Sequence, residues 1–144
     1  MPIEVLLVED NPGDARLTRE AFRAANSDVH VSVAADGVEA MTFLRQEGAF
    51  SRAPRPALIL LDLNLPRMSG REVLASIKQD ENLKAIPTVV LSSSDAAVDI
   101  DMAHALQVSC YITKPTLSDD LDRVVDRIND FWLRHVRFPA TAVN

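Results

Sequence analysis

Three unbroken apolar runs constrain this chain most: Val5-Leu6-Leu7-Val8, Leu58-Ile59-Leu60-Leu61 and Val89-Val90-Leu91. They lack the alternation of a strand with one wet face. Continuous Val/Ile/Leu is what parallel strands need when both faces are covered. Together with two weaker segments they predict strands over about residues 3–8, 29–34, 57–61, 87–91 and 109–112. Helix-start signals fall between them. Asn11-Pro12-Gly13-Asp14 offers an N-cap, a proline at N1 and an acid at N3. Asp36 can cap a second helix, which Gly48 can end. Ser69-Gly70-Arg71-Glu72 reads as a capping box. Asp95 can cap a fourth helix and Ser118 a fifth, which carries Leu121, Val124, Val125, Ile128 and Phe131 on one face. The predicted fold is α/β, (βα)5, a doubly wound five-stranded parallel sheet.

Where those runs end is where chemistry gathers. The first ends in Glu9-Asp10, the second in Asp62, the third in Ser92, and Tyr111-Ile112-Thr113 in Lys114-Pro115. Parallel strands put their C-terminal ends at one edge of the sheet, the edge at which open α/β sheets bind ligands. Three carboxylates, a hydroxyl and an ammonium therefore converge. A carboxylate can accept a phosphoryl group, but an anion must then approach an anion. Mg²⁺ overcomes this; it prefers oxygen and is held by one or two carboxylates with waters and phosphate oxygens. Asp10 and Asp62 suit direct ligation, Glu9 ligation through water, and the Asn64 carbonyl a third position. Lys114 and Ser92 can donate to the charge spreading over the phosphoryl oxygens. Taken singly, each group reads better as a turn or surface residue than as a functional one. Their joint placement at the ends of the right strands is what chance does not supply.

Bulk properties exclude several classes. At 144 residues there is room for one domain. We expect it over residues 1–134, with 135–144 as a C-terminal tail. The net charge of −6 argues against sequence-independent nucleic-acid binding. No apolar run approaches the roughly 20 residues of a membrane span, and Met1-Pro2-Ile3-Glu4 lacks the basic start of a signal peptide. A single cysteine, Cys110, cannot form an internal disulfide, so a cytoplasmic location is expected.

The chain resembles the receiver domains of bacterial two-component response regulators. The resemblance runs from Ile3 to about Arg134. It rests on Val8-Glu9-Asp10-Asn11, on Leu61-Asp62-Leu63-Asn64-Leu65-Pro66 with Met68 and Gly70, on Leu91-Ser92, and on Tyr111-Ile112-Thr113-Lys114-Pro115. It implies a flavodoxin-like, CheY-like fold and a phosphoprotein that takes phosphate from a sensor histidine kinase on Asp62. It further implies Mg²⁺ on Glu9, Asp10 and Asp62, phosphate contacts from Ser92 and Lys114, and a cis bond before Pro115, which X-Pro chemistry permits. Glu9-Asp10-Asn11-Pro12-Gly13-Asp14 and Ser92-Ser93-Ser94-Asp95 are similar to a subgroup of single-domain regulators paired with phytochrome-type kinases. Two departures stand out. Ser93 replaces the alanine common in the family, and the loop from Gly48 to Pro56 is long.

Tyr111 occupies the place of the family's aromatic switch, in which Ser92 moves toward the phosphate and Tyr111 turns inward; an aromatic simply covering the sheet edge is the equal alternative. Asn64 and Ser94, two residues past Asp62 and Ser92, are expected to tune hydrolysis. Trp132, Leu133, Val136 and Phe138 extend apolar character past the last helix, which fits either local packing or a homodimer interface. Cys110 reads as a buried small residue, and His30, His104 and His135 as surface or structural groups.

Two rivals stay open. A Mg²⁺-dependent phosphatase of the haloacid dehalogenase type also uses Asp, Ser/Thr and Lys on a parallel sheet. It needs an acid two residues after its nucleophile, where this chain has Asn64. A flavodoxin-like cofactor module would need a Gly-rich phosphate loop, and the chain has four glycines. The favoured expectation is a stand-alone switch with no exogenous substrate, acting on an unidentified downstream protein.

Overall fold

The structure is a computed structural model that describes residues 3–26, 28–63, 65, 67–92, 101, 104–105, 110–113 and 118–130. Five strands, β1 (Ile3–Val8), β2 (Val29–Ala34), β3 (Leu58–Leu61), β4 (Thr88–Ser92) and β5 (Cys110–Thr113), form one sheet. Every pairing is parallel and the order is β2-β1-β3-β4-β5. The predicted strands match to within a residue at each end. The register sets Val8 beside both Ala34 and Leu61, and Ser92 beside Thr113. The chain turns one way from β1 to β2 and the other way to β3. The gap between β1 and β3 is thus the switch point where such sheets bind ligands.

Side chains of β1 and β3 leave the sheet on alternate faces, and both faces are buried. Leu6, Val8, Ile59 and Leu61 pack with Met41 and Phe43 of α2 (Gly37–Leu44) and Val73, Leu74 and Ile77 of α3 (Gly70–Gln79). Val5, Leu7, Leu58 and Leu60 pack with Phe22 of α1 (Pro12–Ala25) and Leu121, Val125 and Ile128 of the C-terminal helix (Ser118–Ile128). This two-sided burial is why the runs carry no polar alternation. α1 and the C-terminal helix are also joined at their ends, where Asn26 Nδ2 donates to Oδ1 of the buried Asn129 over 3.0 Å.

The capping signals work as their chemistry requires. Asn11 Oδ1 accepts from the Asp14 amide at 3.0 Å, Asp36 Oδ1 from Glu39 at 2.8 Å, and Ser69 Oγ from Glu72 at 3.2 Å. Two expectations need correction. α2 ends at Leu44, not Gly48, because Gln46 turns the chain at φ 55°. Gly48, also at φ 55°, instead opens a short 3-10 turn, Gly48–Phe50, which folds the long loop back so that Phe50 meets the Phe43 ring at 5.5 Å. Ser118, expected to cap the last helix, is itself the first helical residue. Asp101, His104 and Ala105 are helical, between β4 and β5; the cap expected at Asp95 lies outside the described residues, as does Phe131.

Candidate functional site

The backbone ladder carries the acidic residues just past the strand ends. The Glu9 amide donates to Ala34 O at 3.0 Å, and the Asp62 amide to Val8 O at 3.1 Å. Each bond extends the sheet by one residue, so both side chains start from fixed backbone at the β1–β3 switch point. One carboxylate oxygen each from Glu9, Asp10 and Asp62 lies within 4.8 Å of the others. Glu9 and Asp62 are 5% and 7% exposed, whereas Asp10 is open to solvent. The site is a buried pair with a third carboxylate at its mouth.

Glu9 is held further by α1. Its Oε2 accepts from the Asn11 amide at 3.2 Å, and Asn11 is the residue that caps α1. The helix N-terminus, where backbone N–H groups favour negative charge, therefore borders the acids. On the other side α3 presses directly on Asp62. A Cβ on Gly70 would lie 2.3 Å from the Asp62 carbonyl oxygen and 2.4 Å from Leu63 Cα. The Gly70 amide donates to Leu63 O at 3.1 Å. Glycine is required here by close approach of backbone to backbone. The motif reading placed Gly70 in a capping box; its packing against Asp62 depends on a tertiary contact that no local pattern encodes.

Three carboxylate oxygens at this spacing match the donor set of a hard divalent cation. The arrangement brings together Glu9, Asp10 and Asp62 as expected. Ser92 ends β4 in register with Thr113, which precedes Lys114 in sequence. Tyr111 is half-buried against the cluster that includes Leu61 and Val90. Lys114, Pro115, Asn64, Ser94, Trp132, Leu133 and Phe138 lie outside the described residues. His30, expected to be a surface or structural group, is exposed and places Nδ1 2.8 Å from Glu4 Oε1, a pairing between β2 and β1 at the sheet end remote from the acids. Among the described residues no helix is long and apolar enough to cross a membrane.

Comparison with known proteins agrees with this geometry. A profile of the response regulator receiver domain matches residues 5–126. Response regulator Rcp1 of Synechocystis is 47% identical over 139 residues, covering 96% of this chain and 95% of Rcp1. The crystal structure of the phosphorylated cyanobacterial phytochrome response regulator RcpA superposes with a TM-score of 0.92 at 48% identity, covering 96% of this chain and 99% of RcpA. The Mn²⁺-bound form of Rcp1 superposes with a TM-score of 0.91 at 47% identity, covering 96% of this chain and all of that one. With its parallel sheet and the acidic cluster at the switch point, the chain belongs to the response regulator receiver family of two-component signalling.

Proposed function

We propose that the chain is a stand-alone phosphorylation switch in which Asp62 accepts a phosphoryl group from the phosphohistidine of a sensor kinase. The P–N bond breaks as an Asp62 carboxylate oxygen bonds to phosphorus, and the histidine nitrogen leaves with the electron pair. The observation that carries this reading is the buried Glu9–Asp62 pair with Asp10 at its mouth. Asp62 lies at the centre of the sheet's binding edge, and its backbone is pinned by β1 on one side and Gly70 on the other.

The donor set fits Mg²⁺, with Glu9, Asp10, Asp62 and the Asn64 carbonyl as its holders; the bound cation supplies neutralisation of the incoming phosphoryl oxygens. Manganese in Rcp1 supports a divalent ion here. Ser92 and Lys114 contact the phosphate. Ser92 and Tyr111 then carry the change outward, because phosphate favours whichever pre-existing state offers it more contacts. Pro115 has the structural role that the family resemblance implies. Asn64 and Ser94 set the hydrolysis rate; neither is an acid able to activate water, so release is slow.

The kinase is of phytochrome type, on the strength of the likeness to RcpA. The protein has no exogenous substrate and acts in the cytoplasm by contact with a downstream protein. Residues 1–134 form the receiver and 135–144 a tail. Trp132, Leu133 and Phe138 supply a homodimer surface. The phosphatase rival lacks its acid at Asn64.

Lys114→Ala tests the division of labour. Removing a cation beside an acidic site leaves Mg²⁺ affinity equal or higher, while the phosphorylated state loses a charge-assisted contact. Calorimetric Mg²⁺ titration together with transfer from a labelled phytochrome-type kinase should show this split. A variant that binds Mg²⁺ poorly yet takes phosphate and switches normally would refute the assignment.

A further inference from the structure

The sheet order leaves β2 at one end, with no strand beyond it among the described residues. Its pairing with β1 fixes which backbone groups face outward. Asp28 O accepts from the Ile3 amide at 2.8 Å, and Ala34 O from the Glu9 amide at 3.0 Å. Even-numbered residues of this segment therefore turn their backbone groups toward β1. By alternation Val29, Val31 and Val33 turn their N–H and C=O groups away from it. Such an edge is a template for another strand, and valine at each outward position suits that pairing. Two of the outward groups are engaged. The Val29 amide donates to Asn26 O at 3.1 Å, and Val31 O accepts from Arg19 Nη2 at 3.2 Å. Arg19 belongs to α1, so its guanidinium reaches past the sheet face to the middle of the strand edge. Arg23, one turn further along α1, lines the same hollow with Val29, His30 and Val31.

We infer that Arg19 is an edge guard, which keeps β2 from pairing with β2 of a second copy of this chain. Two identical edges can pair antiparallel about a twofold axis, and Val31 is the central outward residue of the strand. An amide of the second strand must then take Val31 O, the acceptor that the Arg19 guanidinium already holds. The displaced guanidinium loses its bond and comes to lie beside its twin from the other copy, charge against like charge. Arg23 adds a further positive charge to the same edge. The Arg19 bond is the specific element, because it occupies the group that a new strand needs.

Arg19→Met keeps a long side chain on α1 but removes the donor and the charge. Sedimentation equilibrium of the full chain should show this variant associating about tenfold more tightly than wild type, or more, the worth of one hydrogen bond to a charged group. Hydrogen exchange gives the location. The Val31 and Val33 amides should become protected as the concentration of Arg19→Met rises, and should not change with concentration in wild type. Self-association through the C-terminal surface proposed above leaves the exchange of these two amides unaltered, so the two interfaces are told apart. Arg19→Lys retains a donor and the charge and should stay near the wild-type level, and Arg23→Met should have a smaller effect than Arg19→Met. An Arg19→Met protein that associates no more than wild type, or that associates with the Val31 and Val33 amides unprotected, would overturn the guard. So would an Arg23→Met effect as large as that of Arg19→Met, since charge alone would then suffice.

Discussion

Gly70 sits so close to Asp62 that a Cβ at this position would lie 2.3 Å from the Asp62 carbonyl oxygen. The obstacle is backbone, which cannot step aside as the tip of a side chain can. Gly70→Ala should therefore displace Asp62 as well as strain the start of α3. We expect a loss of about 1–3 kcal/mol, typical of overpacking, and weaker binding of divalent cations by the same variant. Urea unfolding and a Mn²⁺ titration would check this. Alanine tolerated at no cost in either measurement would show that the loop has room to move.

Asp10 and Glu9 differ in setting, and so should their variants. Asp10 is open to solvent, whereas Glu9 is buried and already engaged by the Asn11 amide. Asp10→Asn removes a carboxylate suited to direct ligation and should weaken Mg²⁺ affinity on the order of tenfold or more. Glu9→Gln keeps a hydrogen-bond acceptor for Asn11 and should cost less. Calorimetric titration of both variants would reveal the order, and the reverse order would exchange the roles assigned to the two acids.

Lys78 gives a pH dependence unrelated to the phosphoryl site. Burial strips water from its ammonium and lowers its pKa below the usual lysine value. Its ammonium donates to Lys84 O over a long 3.5 Å. The unfolded chain holds this proton more tightly than the folded one does. The group therefore penalises folding at neutral pH, and the penalty is relieved as pH rises through the folded pKa toward the unfolded one. Lys78→Met should stabilise the protein at pH 7 by less than about 1 kcal/mol, since the side chain remains partly solvated. That advantage over wild type should fade in alkaline solution. Denaturant melts of both proteins across that range would test it, and an advantage that grows with pH would contradict the sign.

Strands and caps were legible because each is a local decision. Leu58 to Leu61 is apolar at every position because both sheet faces are covered, and Asn11, Asp36 and Ser69 each satisfy an amide three residues on. The acids were legible for a topological reason: parallel strands share one C-terminal edge, so residues far apart in sequence meet there. Other features depend on how separate turns approach one another. Gln46 ends α2 in a left-handed turn without glycine, the Asn26–Asn129 bond spans most of the chain, and the Asp36–Arg67 pair joins two loops. No periodicity or spacing encodes those features, since each depends on how separate parts of the chain come to lie in the folded protein. Gly37 and Gly70 carried a signal of a weaker kind. A glycine at the start of an otherwise well-formed helix marks backbone approach, but does not say what approaches.

Phosphorylation of Asp62 is the claim on which the account stands. The direct measurement is to treat the full chain with acetyl phosphate and Mg²⁺, stabilise the acyl adduct by reduction, and map it by mass spectrometry. The account predicts one modified residue, Asp62, no adduct in Asp62→Asn, and none when the divalent cation is chelated. An adduct on another residue, one that persists in Asp62→Asn, or one that forms without a divalent cation would contradict it.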